Sequence, residues 1–331
     1  MSEYSEMSQE EQIALLQEFA TDVLVQYGIS VQDIECVNHG FNTTFKFTST
    51  ENKTYALRIN TNSKKWPEHI WAEVQWLNAL SEEGIIHAPV PIPNLQGELF
   101  SNHYFFYEGG NLNVIVYPWI AGEVVKEDPT DEQLYELGKA MAHLQQFGLT
   151  WRPTGYANFL AIDNPLVVRY PILFKFPIPE ISPELYQLLE ELNLRTEKLY
   201  ESLRERSEPQ IIHADLHFEN VIWQEGKMSI LDFDDAGRGF PLQDLAIAIY
   251  YLRANKEREK ALIAGFLSVA PLPEHEPWEL ELLIASRSLT LLDYLLETST
   301  AADVAYLPTY LTNTEKRLQH YFDTGEFLLL K

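Results

Sequence analysis

Asp215, Asn220 and Asp232 stand at spacings that suit phosphoryl transfer. They lie in Ile211-Ile212-His213-Ala214-Asp215-Leu216-His217-Phe218-Glu219-Asn220-Val221-Ile222-Trp223 and in Ser229-Ile230-Leu231-Asp232-Phe233-Asp234-Asp235. Apolar pairs bracket each polar cluster, which predicts a strand, a polar loop and two short strands, with rigid flanks aiming the loop into a cleft. Phosphoryl transfer needs a carboxylate to orient the acceptor hydroxyl and take its proton. It also needs hard oxygen ligands to hold a divalent cation against a triphosphate. Asp215 suits the first task; Asn220 and Asp232 suit the second.

The order His213, Asp215, Asn220, then Asp232, follows the pattern of a kinase catalytic loop and its metal-binding segment. His213-Ala214-Asp215-Leu216-His217 through Asn220, Leu231-Asp232-Phe233 and Asp244-Leu245-Ala246 together resemble the signature of the aminoglycoside phosphotransferase and choline kinase-like family. The resemblance is strong over residues 211–250 and continues weakly over 35–125. It implies an α+β, two-lobed, protein-kinase-like fold. Residues 1–118 would form a nucleotide-binding lobe with an antiparallel sheet, and 119–331 a larger, mostly helical lobe for catalysis and acceptor binding. The implied activity is transfer of the ATP γ-phosphate, with Mg2+, to a hydroxyl of a small molecule. Asp215 would be the catalytic base, Asn220 and Asp232 the metal ligands, and His213 and Asp244 braces for the loop. Asp234 and Asp235 remain open between a solvated turn and a further metal or substrate contact.

The same resemblance extends to the N-terminal third. His39-Gly40-Phe41-Asn42-Thr43-Thr44 falls between two strand-like runs, where kinases cover the phosphates, although it lacks three glycines. Gly40, Asn42, Thr43 and Thr44 are the expected phosphate contacts, through amides and hydroxyls. In Tyr55-Ala56-Leu57-Arg58, arginine occupies the usual lysine position; its planar fork can pair with phosphate in a different geometry. Glu73 on the next helix is its expected partner. Val114 to Gly122 resembles the hinge that meets adenine, with Val116, Tyr117 and Trp119 as the contacts.

These residues need elements to carry them. Apolar spacing predicts helices over residues 11–27, 68–80, 131–147, 182–206, 240–253 and 278–297. It predicts strands within 36–48, 53–59, 103–107 and 113–119. The passage Pro89 to Pro93 cannot lie inside a helix. Trp151 to Pro179, rich in aromatics and prolines, reads as an irregular insertion. That insertion and the 278–297 helix are the expected acceptor walls, bearing Trp151, Tyr156, Asp163, Arg169, Tyr170, Glu281, Arg287 and Asp293. Aromatic faces and carboxylates suit an amine-bearing acceptor.

The chain of 331 residues carries 49 acidic against 24 basic side chains, a formal charge of −25. Such a surface repels nucleic acid and anionic lipid, and neither is an expected partner. The one cysteine, Cys36, excludes an intrachain disulfide and fits the cytoplasm. No apolar run is long enough for a membrane helix, and no secretory leader is expected. Three other readings compete. The segment 234–244 resembles the bacterial stress-response serine/threonine kinases, although no extended activation loop separates Asp232 from Asp244. Arg58 could mark a non-catalytic nucleotide-binding regulator, against which the three polar residues stand intact. His213, Asp215 and His217 could serve a metal-dependent hydrolase, but further ligands at recognisable spacing are missing.

Overall fold

A computed structural model describes residues 4–63, 65–126, 128–166 and 172–330. Helix α1 (Gln9–Leu24) starts at Ser8, whose hydroxyl accepts the Glu11 amide while Glu11 accepts the Ser8 amide. This reciprocal cap satisfies two amides that a helix start leaves open. Strands β1 (Val31–His39), β2 (Thr43–Ser49) and β3 (Thr54–Ile59) follow, then α2 (Pro67–Glu82), β4 (Ser101–Phe105) and β5 (Gly110–Pro118). The five strands form one antiparallel sheet in the order β1-β2-β3-β5-β4.

Side chains alternate across a strand, and here the alternation separates core from cleft. Phe45, Phe47, Leu57, Ile59, Val114 and Val116 face α1 in one buried cluster. Thr44 pairs with Arg58, and Arg58 with Ile115, so these three residues share the opposite face with Tyr117.

The rest of the chain is mainly helical. It runs through β6 (Glu123–Val124), α3 (Asp131–Thr150), α4 (Pro183–Arg206), β7 (Gln210–Ile212), β8 (Val221–Gln224), β9 (Lys227–Ile230) and β10 (Gly237–Gly239). Helices α5 (Pro241–Tyr250), α6 (Glu259–Leu267), α7 (Pro277–Glu297) and α8 (Ala301–Thr324) complete it. Strands β6, β8 and β9 form one small antiparallel sheet, and β7 pairs with β10. Glycine lets β7 ride directly on α3: a Cβ at Gly148 would come within 2.1 Å of the Ile211 carbonyl oxygen. The loop after β7 is therefore anchored on α3.

A second, larger core runs from α2 into the helical half. Trp76 of α2 packs edge-on against Phe159 and Phe233, with ring centroids 5.8 and 5.6 Å away. The residue after Asp232 is thereby pinned to the helix that carries Glu73. Helices α6 and α8 are additions to the sequence reading. Pro308 lies inside α8 and lacks the amide that would continue the helical ladder. Burial of Tyr310, Leu311, Leu318 and Tyr321 sustains the helix there. No helix among the described residues is long and apolar enough to cross a membrane.

Candidate active site

The loop between β7 and β8 is held in an unusual backbone state. Ala214 has φ of +64°, a region that costs a residue with a Cβ free energy. Its amide donates to Asp244 Oδ1 at 2.9 Å from α5, and Asp244 is fully buried. His213 is buried as well. Its Nε2 is 3.0 Å from the Leu231 carbonyl, so Nε2 carries the proton, and Nδ1 accepts the Asp215 amide at 3.3 Å. Burial lowers its pKa to about 4. Neutral His213 thus ties the loop to the strand leading to Asp232 and has no nitrogen left for chemistry.

Asp215 lies at the centre of the loop. Its Oδ2 accepts Asn220 Nδ2 at 2.9 Å and lies 3.5 Å from His217 Nε2; its Oδ1 pairs with Arg287 of α7. Burial pushes the carboxyl up, but Arg287 and then His217 outweigh it and hold the group below the usual carboxylate range. His217 stacks on Tyr251, with ring centroids 3.8 Å apart. Asn220 Nδ2 also donates to the Asp215 carbonyl at 2.8 Å, which leaves Oδ1 as the donor Asn220 can offer a cation.

Asp232, at φ +58°, is exposed to solvent but has Asp234, Asp215 and Asp235 among its charged neighbours. Its carboxyl is pushed up to about 7, by desolvation first and then, against the pull of Arg58, by Asp234, Asp215 and Asp235. A divalent cation would relieve that crowding. Asn220 and Asp232 fit such an ion as two oxygen ligands whose shell phosphates complete. Among the described residues no group of three His, Cys, Asp or Glu side chains is placed to hold a metal unaided.

Arg58 and Glu73 meet on the cleft face of the sheet. Arg58 Nη2 is 2.8 Å from Glu73 Oε1 and 2.9 Å from Oε2, with both residues buried. Burial raises the Glu73 pKa against the opposing pull of Arg58. Asp234 connects this pair to the other half. It accepts Asn60 Nδ2 at 2.8 Å and Asn42 Nδ2 at 3.0 Å, with Lys65 Nζ at 3.8 Å and Arg58 Nη2 at 3.9 Å. Asp234 is therefore not a solvated turn. Asn60 and Lys65 were absent from the sequence reading. Strand parity placed Asn60 on the Arg58 face; nothing local marked Lys65.

Several residues expected from the sequence to contact phosphate or adenine are engaged with other protein groups. Thr43 is fully buried, its hydroxyl 2.8 Å from both His39 Nδ1 and Thr61 Oγ1. The Gly40 amide donates to the Asn42 carbonyl, and its own carbonyl accepts Thr300 Oγ1. Asn42 gives its side-chain amide to Asp234. Only Thr44 of this group sits free of such ties on the cleft face. Val116 points into the α1 core, and its carbonyl accepts the Ile92 amide at 2.9 Å. Trp119 gives its amide to the Thr54 carbonyl at 3.1 Å, and Lys46 Nζ lies 5.0 Å over its ring. Tyr117 does face Arg58, whose guanidinium lies 5.9 Å from its ring centre.

Most expected acceptor walls have structural work instead. Trp151 packs on Phe147 and Phe159, and the exposed Tyr156 stacks on Trp71. Asp163 pairs with Arg204 and Glu281 with Arg253. Asp293 accepts the Ile172 and Leu173 amides. Arg169 and Tyr170 lie outside the described residues. Among the described residues of this set, Arg287 alone reaches Asp215. Tyr251 and Tyr294 join it: Tyr294 lies 4.8 Å from the Phe41 ring, and Asp235 stands against the Tyr294 hydroxyl.

A five-stranded antiparallel sheet over a mainly helical half, with Asp215, Asn220 and Asp232 between them, is the protein-kinase-like fold. The chain belongs to the phosphotransferase enzyme family named for the aminoglycoside phosphotransferases, whose profile matches residues 33–278. Amicoumacin kinase of Bacillus subtilis (strain 168) is 25% identical over 239 residues, 69% of this chain and 66% of that protein. Stress response kinase A of Escherichia coli (strain K12) is 22% identical over 282 residues, 83% of this chain and 80% of that protein. The solved structure of a microcompartment-associated aminopropanol kinase superposes with a TM-score of 0.73 at 19% identity, covering 95% of this chain and 100% of that one. Amicoumacin kinase hAmiN, in complex with AMP-PNP, Ca2+ and Ami, superposes with a TM-score of 0.70 at 18% identity, covering 93% and 96%.

Proposed function

We propose that this protein is an ATP-dependent kinase that phosphorylates a hydroxyl of a small, amine-bearing molecule in the cytoplasm. The carrying observation is the convergence of Asp215, Asn220 and Asp232 opposite the buried Arg58–Glu73 pair. Residues 1–118 serve as the nucleotide lobe and 119–331 as the catalytic and acceptor lobe. ATP with Mg2+ supplies the transferable phosphoryl group and neutralises its charge. Asn220 Oδ1 and Asp232 hold the cation, while Arg58, aligned by Glu73, faces the phosphates with Thr44 and the loop backbone. Tyr117 closes the back of the nucleotide site. Asp215 orients the acceptor hydroxyl and takes its proton.

Two observations support an amine on the acceptor. The carboxylate of Asp235 and the rings of Tyr251, Tyr294 and Phe41 surround the approach to Asp215, and such groups receive a cation well. The aminopropanol and amicoumacin kinases share the fold. The test is ADP release with magnesium-ATP across amino alcohols, amino sugars, hydroxy amino acids, neutral sugars and a protein substrate. Stimulation by neutral sugars alone would remove the amine and leave the kinase. A second reading, a serine/threonine protein kinase, draws on the match to stress response kinase A. Stimulation by the protein substrate alone would select it.

A further inference from the structure

Arg287 is 3% exposed and uses one side of its guanidinium. Nη2 pairs with Asp215 Oδ1 and lies 3.4 Å from the Tyr251 hydroxyl, while Nε and Nη1 are buried without a partner. An arginine kept only for packing is normally bonded more fully, because idle buried donors cost free energy. Arg253 in the same half shows the contrast: it bonds Glu281 twice and the Phe327 carbonyl. The second oxygen of Asp215 is held by Asn220 at 2.9 Å. Both oxygens of the carboxylate that would receive a hydroxyl proton are therefore engaged.

We propose that Arg287 is a positioning residue that caps Asp215 while the acceptor is absent, so that water does not replace the acceptor. The inference rests on the kinase reading. An arriving acceptor displaces the guanidinium from Oδ1, and that movement uncovers the idle Nε and Nη1 donors for the acceptor's own oxygens. The hydroxyl then takes the vacated place. Without the cap, water would do the same. Its oxygen would bond to the γ-phosphorus, the bond from that phosphorus to the β–γ bridging oxygen would break, and the bonding pair would leave on ADP. The water proton would pass to Asp215 and on to solvent. Restraining this side reaction protects the ATP pool during idle time.

The test measures acceptor-independent ADP release with magnesium-ATP for wild type, Arg287→Met and Arg287→Lys. Thermal stabilisation by a nonhydrolysable ATP analogue is read alongside. Methionine removes the cap; lysine keeps a cation in the site but cannot span it as a fork, and it stands in if the methionine variant does not fold. Both should bind the analogue as wild type does and release ADP faster by roughly tenfold, the effect of about 1.4 kcal/mol on a barrier. Adding Asp215→Asn should erase the gain. Analogue binding with unchanged or slower ADP release would overturn the cap, as would a gain that survives Asp215→Asn. Failure of wild type to bind the analogue would take down the kinase reading and the cap together, a separate result.

Discussion

The amide of Ala214 donates to the buried carboxylate of Asp244 at 2.9 Å, across thirty residues of chain. That bond stabilises a positive-φ residue directly before Asp215. Below about pH 5, where the folded carboxyl is neutral, Asp244→Ala should therefore lower stability by about 2 kcal/mol, the scale for leaving a buried amide without its partner. Turnover should drop further than the melting temperature alone explains. Thermal melts paired with kinetics check this, and unchanged turnover would show that the loop holds its shape without α5.

Asp244 also carries a pH signature. Burial pushes its carboxyl up to about 6, despite the Ala214 amide pulling it down. An unfolded aspartate ionises near pH 4. A raised folded pKa means that its stabilisation is complete below about pH 4 and is lost as pH rises through about 6. Asp244→Asn cannot ionise, so wild type should lose about 2–3 kcal/mol relative to that variant between those limits. Denaturant titrations at pH 4 and pH 7 measure the difference; parallel curves would place the folded carboxyl near its ordinary value.

Asp215→Asn retains the side-chain shape and removes the base. Analogue binding should persist while turnover falls by roughly 100-fold or more. Near-normal turnover would deny Asp215 the role of base.

Asp232→Ala should abolish the magnesium-dependent part of thermal stabilisation by the same analogue, because Asn220 alone offers too little to the cation. Persistence of that part would move the metal to other ligands.

Arg58 tests the nucleotide contact. Arg58→Lys should keep measurable activity with a higher apparent ATP constant. Arg58→Ala should do more than raise that constant. It leaves Glu73 buried without its partner, at a cost of about 3–5 kcal/mol. A stable Arg58→Ala protein with wild-type ATP kinetics would remove Arg58 from the nucleotide site.

The loop between β7 and β8 could be read from sequence because its parts lie within a short stretch. His213, Asp215, Asn220 and Asp232 sit between strand-forming apolar pairs, and backbone geometry over such distances follows local residue types. The sheet and most helices followed from the periods of their apolar residues. Facing was harder. Parity separates Val116 from Tyr117, but only α1 decides which face is core, and it claims Val116. Thr43 looked like a phosphate contact until His39 and Thr61 closed around it. Pro308 lies inside α8, where long-range burial of Tyr310, Leu311, Leu318 and Tyr321 sustains the helix. The remaining decisions joined residues far apart in the chain. Arg287 meets Asp215 over 72 residues, and Asn60 meets Asp234 over 174. Hydrogen bonds and ion pairs of that span have no local signal, because neither partner's neighbours in sequence need to differ for them to form. The sequence alone determined which polar groups gather on the loop after β7 and before Phe233; the tertiary structure decided that Arg287 meets Asp215 and that Asp234 joins the halves, because contacts of that span depend on how distant elements pack.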